Sequence, residues 1–190
     1  MKKFIFTFVL VLATLSASAQ YRVDRLVTAG RSALFYEDFV LSIKYFNLAI
    51  GAKPYLYEPW YYRSVAKFNL DDYMGAESDA SEAINLNPYI NDIYDLRAIC
   101  RIRQQRYDDA IADYNSAIRL EPRNRNYWFN RALCQMEAKN YDKAQLELDT
   151  VITKWKDYSN AYSLKAEVYL HQKDTVQAEK WLDQSLKLNP

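Results

Sequence analysis

The residues that could support catalysis are few and isolated in this chain. His171 is the single histidine, so neither a histidine-based triad nor a multi-histidine metal site can be built. The sequence contains no glycine-rich phosphate loop and no Walker-type stretch, one of which would be needed to cradle phosphates. The acid pairs Asp71-Asp72 and Asp108-Asp109 are typical of helix starts, where carboxylates favour the helix dipole. The sequence therefore predicts no catalytic residues, no metal, no cofactor and no enzymatic activity.

A repeat of 34 residues organises the chain instead. The alanine and proline columns show it most clearly: Ala76, Ala110, Ala144 and Ala178, and Pro54, Pro88, Pro122 and Pro190. A fixed period of about 20–50 residues indicates an array of identical supersecondary units. Such arrays usually present a binding surface rather than a reaction centre.

Each period predicts two helices. In the third period, Ile93, Leu96, Ile99 and Cys100 follow helical spacing, and residues 104–106 interrupt it. Helical spacing resumes from Tyr107 to Ile118, and Pro122 sets the end of the unit, since the residue before a proline avoids the helical region. We predict an all-α chain with repeats at residues 23–56, 57–90, 91–124, 125–158 and 159–190.

The pattern resembles the tetratricopeptide repeat (TPR), whose consensus reads W-x2-L-G-x2-Y, then A-x3-F, then P. Trp60 and Trp128 stand at the opening tryptophan, and Ala110, Tyr114 and Pro122 match the second half. The resemblance covers residues 23–190. It implies an α-solenoid, a right-handed superhelix of about five helix-turn-helix repeats, that serves as a non-enzymatic protein–protein interaction module or scaffold.

The chain departs from the consensus where Leu-Gly is expected. Arginine recurs there as Arg63, Arg97 and Arg131, and the matching column of the second helix is acidic: Asp79, Asp113 and Glu147. A charged residue on a packed helix must find a partner or reach solvent. We predict three ion pairs within the repeats, Arg63–Asp79, Arg97–Asp113 and Arg131–Glu147. If exposed, each contributes only about 0–1 kcal/mol. An anion-binding row is the alternative.

The two cysteines, Cys100 and Cys134, occupy the same place in successive repeats. Equivalent positions on packed helices lie roughly 8–10 Å apart, whereas a disulfide needs Cα atoms within about 7 Å. Ser32, Ala66 and Val168 fill the same column, so the position favours a small side chain. We expect two free thiols in the core.

The first 19 residues have the pattern of a secretory signal peptide. Lys2 and Lys3 precede an apolar stretch, and Ala17-Ser18-Ala19 forms a small-residue cleavage site before Gln20. The pattern is typical of a bacterial signal peptide, and it predicts a mature TPR domain at residues 20–190 that is not stably inserted in a membrane. This domain is expected in the bacterial periplasm or cell envelope, or secreted. Without Lys2 and Lys3, the 25 basic residues become 23 against 24 acidic ones. This balance lacks the basic stripe that nucleic-acid binding requires.

In TPR proteins the first helices line a concave groove, and the resemblance places a partner-binding surface there. The candidate residues are Arg31, Tyr61, Tyr62, Asp95, Phe129 and Asn130. Aromatic side chains are favoured as interface hot spots, although each could instead pack between neighbouring repeats. Some TPR proteins grip a peptide C-terminal carboxylate with Lys and Asn in this groove, and these lysines are absent here.

The expected partner is another protein or a peptide segment. Two alternatives remain open at this stage. The last helix predicts an apolar face at Trp181, Leu182 and Leu186 that could mediate a homodimer. Tyr61 and Phe129 could alternatively stack against sugar rings in a glycan-binding module.

Overall fold

The computed structural model describes residues 22–189 of the chain. Residues 22–35 are helical and form α1. The helices that follow are α2 (Phe39–Ala52), α3 (Tyr57–Asn69), α4 (Tyr73–Leu86), α5 (Asn91–Arg103), α6 (Tyr107–Leu120), α7 (Arg125–Glu137), α8 (Tyr141–Lys154), α9 (Ser159–His171) and α10 (Thr175–Leu188). No strand occurs between residues 22 and 189. The prediction of an all-α repeat solenoid is confirmed.

Each 34-residue period holds a first helix and a second helix. From the second period onward, the first helices have 13 residues and the second helices 14. The predicted signal peptide, residues 1–19, lies outside the described residues.

The helices group into two compact units, one ending at Pro88 and the other beginning at Tyr89. In the N-terminal unit, α3 packs against both α2 and α4. In the C-terminal unit, each helix from α5 to α10 packs against the next. The sequence predicts a single uninterrupted array, because the 34-residue register passes through Pro88 unchanged.

The repeat positions that carry small residues lie where the paired helices contact each other. Ala76, Ala110 and Ala144 have no exposed surface, which lets paired helices approach closely. Phe46, Tyr114 and Leu148 occupy the larger column and are fully buried. Leu182 stands in the same column but is 48% exposed.

Gly30 shows how tightly the first pair packs. A Cβ atom at Gly30 would lie 2.6 Å from Cε1 of Phe46. Later periods carry serine or alanine at this position, as at Ser64 and Ala98. The glycine therefore makes room for a ring that is completely enclosed.

The turn inside each period has the same backbone. One residue has a positive φ of 59–64°, and it recurs every 34 residues at Glu37, Asp71, Gln105, Lys139 and Lys173. The next amide closes the helix: for example, N–H of Arg106 donates to the carbonyl of Arg101, and N–H of Gln105 donates to Ile102. This is the Schellman arrangement, in which glycine is the usual left-handed residue. None of the five positions here is glycine.

The three predicted ion pairs are all formed. Arg63 binds Asp79 through Nε and Nη2, both at 2.7 Å. The Arg97 Nη2 atom lies 2.6 Å from Asp113, and the Arg131 Nε atom lies 3.1 Å from Glu147. The three arginines therefore neutralise acids within the fold, so they are not available as the cations of an anion-binding row.

These three pairs, Arg63–Asp79, Arg97–Asp113 and Arg131–Glu147, form an arginine ladder that is more buried than a surface ion pair. The Asp79 and Asp113 side chains are only 4% and 3% exposed. Each binds a second cation one helical turn further along, Lys67 at 2.8 Å and Arg101 at 2.7 Å. The value of about 0–1 kcal/mol for exposed pairs therefore does not apply, because removing one partner from a buried pair destabilises a fold by about 3–5 kcal/mol.

The ladder changes in the last period, where Trp181 replaces the acid. Lys165 is 3% exposed, and its ammonium lies 3.9 Å from the centre of the Trp181 ring. It also pairs with Asp149 on the preceding second helix.

Cys100 and Cys134 are buried free thiols, as expected from the repeat spacing. Burial raises the pKa of Cys134 to about 12, with smaller contributions from Glu147 and Glu137. Its thiolate, the reactive form, is therefore suppressed at neutral pH.

Candidate functional site

In the N-terminal unit, three candidate residues lie in contact. The Arg31 guanidinium carbon is 5.0 Å from the centre of the Tyr62 ring, and Tyr62 stacks on the buried Phe46 at 5.9 Å. The Tyr61 and Tyr62 ring centres are 5.1 Å apart. Tyr62 therefore joins α1, α2 and α3, while Tyr61 and Arg31 lie at the edge of this contact.

In the C-terminal unit, two candidates meet around a buried tyrosine. Tyr114 of α6 has no exposed surface, and its hydroxyl interacts with Asp95 of α5 and Asn130 of α7. The Tyr114 hydroxyl and the Asp95 Oδ1 atom are both buried, and neither completes a hydrogen bond of normal geometry within the described residues.

Asp95 is held in an unfavourable setting for a charge. Its pKa is raised above the ordinary value, chiefly by burial and further by the charge of Asp92, while the Tyr114 hydroxyl partly offsets the rise. Burial is also the main cause of the raised pKa of Tyr114, and Asp95 adds to it. The cluster is negative and poorly solvated.

A chain of hydrogen bonds borders this cluster. The Asn91 amide donates to the Tyr127 hydroxyl at 2.9 Å and to Glu121 at 2.7 Å. The Tyr127 hydroxyl donates in turn to Asp92 over 3.4 Å. Burial raises the pKa of Tyr127 to about 12; Asn91 lowers it, and Asp92, Asp95 and Glu121 raise it further. Three carboxylates therefore act on this part of the C-terminal unit.

Phe129 lies apart from the polar cluster. Its ring meets Tyr158 edge-on at 5.4 Å and packs against the core that includes Leu148 and Leu164. Much of its surface is therefore used between successive repeats. Tyr61 also packs against a neighbouring ring, that of Tyr62.

Tyr114 and Tyr127 are the site residues that the sequence candidates omit. Tyr114 fills a column that Phe46, Ala80 and Leu148 occupy in other periods, which suggests a purely apolar role. The Tyr114 hydroxyl is the feature that could have indicated a polar contact, because a buried tyrosine usually finds a hydrogen-bond partner.

No other arrangement for chemistry is found among residues 22–189. That range contains no group of three or more His, Cys, Asp or Glu residues placed to hold a metal ion. His171 is exposed at the end of α9 and stacks on Tyr141 at 5.8 Å. None of the helices between residues 22 and 189 combines the length and apolar character needed to cross a membrane.

Comparison with family models decides the classification. A tetratricopeptide repeat model matches residues 96–149 and 137–190, together half of the chain. The chain belongs to the tetratricopeptide repeat family. A comparison with curated proteins finds no match.

Solved TPR structures share the fold over most of the chain. The MamA protein superposes with a TM-score of 0.82 at 16% identity, covering 88% of this chain and 91% of MamA. YrrB, a TPR protein with an unusual peptide-binding site, gives a TM-score of 0.78 at 12% identity, covering 87% of this chain and 85% of YrrB. The first TPR domain of Spaghetti (RPAP3), bound to the HSP90 peptide SRMEEVD, gives 0.61 at 24% identity, covering 63% of this chain and 94% of that domain.

Proposed function

We propose that this TPR protein is a non-enzymatic scaffold of the bacterial cell envelope that binds a segment of a partner protein along the first helices of its repeats. One observation carries the proposal. The six candidate side chains on first helices, Arg31, Tyr61, Tyr62, Asp95, Phe129 and Asn130, are all exposed or half-buried. They therefore combine a fixed position with accessible surface.

The family supports a protein or peptide as the ligand. The RPAP3 domain is bound to an HSP90 peptide, and YrrB has a peptide-binding site. Arrays of this kind usually offer an extended binding surface. Each unit offers an aromatic candidate on a first helix, Tyr61 in the N-terminal unit and Phe129 in the C-terminal unit.

The test uses peptides selected from a random dodecapeptide library on residues 20–190. Tyr61→Ala combined with Phe129→Ala should weaken their binding about tenfold or more, because anchor aromatics typically contribute about 2 kcal/mol or more. Affinity is measured by fluorescence anisotropy, and folding is checked by circular dichroism and thermal melting. Phe129→Leu, which keeps apolar volume in the core, separates loss of the ring from loss of packing.

Met74→Ala with Leu146→Ala is the matched control. Both side chains lie on second helices, one in each unit, and are 74% and 70% exposed. The control should bind at full strength. A folded Tyr61→Ala/Phe129→Ala variant that also binds at full strength would refute the first-helix surface as the binding site.

We propose export to the periplasm or cell envelope, with secretion as a variant of the same route. The proposal is supported by the charged start, the apolar stretch and the Ala17-Ser18-Ala19 site.

Self-association through α10 is a second candidate function. Leu182 and Leu186 are 48% and 53% exposed, and an open cavity of about 590 Å³ lies between α9 and α10, bordered by Ala166, Leu170 and Leu182. Light scattering after size exclusion tests it: a dimer that Leu182→Glu with Leu186→Glu converts to monomer would support this function, and a wild-type monomer would exclude it.

A further inference from the structure

The open cavity between α9 and α10 has a counterpart in the preceding repeat. We call it the C-terminal groove, and its apolar lining consists of Ala166, Leu170, Ala178 and Leu182. The residues one 34-residue period earlier are Ala132, Met136, Ala144 and Leu148. These four belong to the core cluster in which α9 packs against α7 and α8. The C-terminal groove is therefore equivalent to the position that a first helix fills one repeat earlier.

The residues of the groove are open to solvent, whereas their counterparts are covered. Met136 is 3% exposed and Leu148 is fully buried, but Leu170 and Leu182 are 57% and 48% exposed. Removing apolar surface of this kind from water is favourable. The preceding repeat shows that one helix has the right shape to cover it.

The helix α9 shows which side chains such a cover needs. It contributes Ala161, Leu164 and Val168 to the cluster, and all three are buried. Their spacing of three and then four residues places them on one face of the helix. A helix that fills the C-terminal groove in the same way therefore needs a small or apolar stripe with this spacing.

A second copy of this chain fits the groove poorly. In α1 the stripe positions carry Arg25, Thr28 and Ser32, which are polar and exposed, so a head-to-tail contact would place polar groups against an apolar surface. A symmetric dimer would bring the same surface of both copies together. The charged residues that line the groove, Glu167 and Glu179, are both acidic, and like charges facing each other are unfavourable.

These two acids favour a basic residue in the occupant. Among the described residues that line the groove, none is basic. Glu179 stands where the preceding repeat has Gln145, whose amide donates to Gln172, just beyond the end of α9, at 2.6 Å. An ionised carboxylate can only accept hydrogen bonds, so the equivalent position of a bound helix needs a donor. Gln172 follows Ala161 by three turns of helix, on the side of the stripe.

We propose that the C-terminal groove binds an amphipathic helix of a partner protein. This helix carries small or apolar side chains at positions i, i+3 and i+7 and a lysine or arginine at i+11. The groove is a second interaction surface, and it does not depend on the proposed binding along the first helices.

Stapled helical peptides with the sequence of residues 159–172 test the proposal. One peptide carries lysine at the position of Gln172, and a second carries glutamate there. Binding to residues 20–190 is measured by fluorescence anisotropy. The lysine peptide should bind about threefold or more tightly than the glutamate peptide, the effect of one exposed charge pair. Absence of binding by both peptides would overturn the proposal.

Leu170→Ser with Leu182→Ser should weaken binding of the lysine peptide about tenfold or more, because central apolar contacts supply most of the affinity of an interface. Both side chains are exposed, so the fold should persist, and circular dichroism checks this. Leu146→Ser with Val176→Ser is the matched control. Both of these residues are exposed on second helices and lie outside the groove. Equal loss of binding in the two double variants would overturn the proposal.

Glu179→Lys tests the charged contact. It should remove or reverse the preference for the lysine peptide over the glutamate peptide. Asp183→Lys is the control, because it makes the same charge change on α10 at an exposed residue outside the groove. If both variants change the preference equally, the attraction is long-range and the basic residue at i+11 is refuted.

Two further measurements separate this inference from the functions proposed above. A dimer that Leu170→Ser with Leu182→Ser converts to monomer in light scattering would mean that a second copy fills the groove, and would overturn the partner helix. Tyr61→Ala, in the N-terminal unit, should leave binding of the lysine peptide unchanged. A loss in that variant would place the peptide on the first-helix surface instead of the groove.

Discussion

Asp113 carries its charge inside the contact between α5 and α6, where Arg97 and Arg101 neutralise it. Asp113→Asn leaves two partly buried guanidinium groups facing a neutral side chain. We expect the free energy of unfolding to fall by about 3–5 kcal/mol, the usual effect of removing one partner of a buried pair. Urea denaturation at neutral pH measures it.

Asp108→Asn is the reference for Asp113→Asn. Because Asp108 is exposed in the first turn of α6, its replacement should lower the free energy of unfolding by no more than about 1 kcal/mol, the contribution of a carboxylate near a helix N-terminus. Similar losses in the two variants would show that the ladder contributes no more than a surface charge.

Replacing Asp95 should have the opposite effect on stability from replacing Asp113. Burial, and then Asp92, raise its pKa in the folded state. The ionised carboxylate therefore destabilises the fold above that pKa, and this cost disappears as the pH falls through the folded value towards the unfolded one of about 3.9. Asp95→Asn should melt at a higher temperature than the wild type at neutral pH, and its advantage should shrink in acid. Thermal melts across this range check it; lower stability of Asp95→Asn at pH 7 would contradict it.

These residues show what the sequence can and cannot predict at this scale. The ladder was predictable because arginines and acids recur at fixed positions on paired helices. The cluster around Tyr114 was not, because the direction of one hydroxyl depends on how α5, α6 and α7 pack together. Asp95 and Asn130 are candidates because of their separate positions in the repeat. The sequence does not indicate that Tyr114 brings them together.

At the scale of elements, the left-handed turn residue offers a stability test. Lys173 has a φ of 64°, a conformation that disfavours residues with a side chain by about 1–2 kcal/mol. Lys173→Gly removes this strain, while the greater freedom of glycine in the unfolded chain offsets about 0.5–1 kcal/mol. We expect a net gain of about 0.5–1 kcal/mol in denaturant melts.

Lys180→Gly is the control for that change. Lys180 is exposed within α10, and glycine in a helix interior lowers stability by about 0.5–1 kcal/mol relative to alanine. The two glycines should therefore act in opposite directions. Equal destabilisation would mean that the turn at Lys173 is not strained.

The sequence located these turns but not their backbone. Residues 104–106 mark an interruption of helical spacing, yet Gln105 gives no sign of a positive φ, since glycine is the usual indicator. The left-handed conformation follows from the closing hydrogen bonds of the turn, which side-chain types do not encode.

At the scale of the whole molecule, the N-terminus of the mature chain is the main prediction. Cleavage after Ala19 should leave a chain that begins at Gln20, because the small residues Ala17-Ser18-Ala19 follow a short apolar stretch. Intact-mass analysis of the protein purified from cells that express the full chain measures this directly. A mass that retains residues 1–19 would contradict cleavage and would indicate a membrane-anchored protein instead.

The architecture was predictable because the 34-residue register is unbroken, and each period carries its own helix and turn signals. The division after Pro88 was not predictable. The alanine column continues from Ala76 to Ala110 and the proline column from Pro88 to Pro122, so the sequence pattern contains no mark of a boundary at this point.

The arginine ladder also governs how neighbouring repeats unfold. Arg63 donates to Asp79 in its own repeat and to Asn47 in the preceding one at 2.6 Å, and Arg131 binds Glu147 and Asn115 in the same way. In a nearest-neighbour description, stability divides into a term for each repeat and a term for each junction. Here one guanidinium group contributes to both terms. Unfolding of one repeat therefore removes the asparagine acceptor that the arginine of the next repeat uses. Repeats joined by such an arginine should therefore unfold together rather than one at a time.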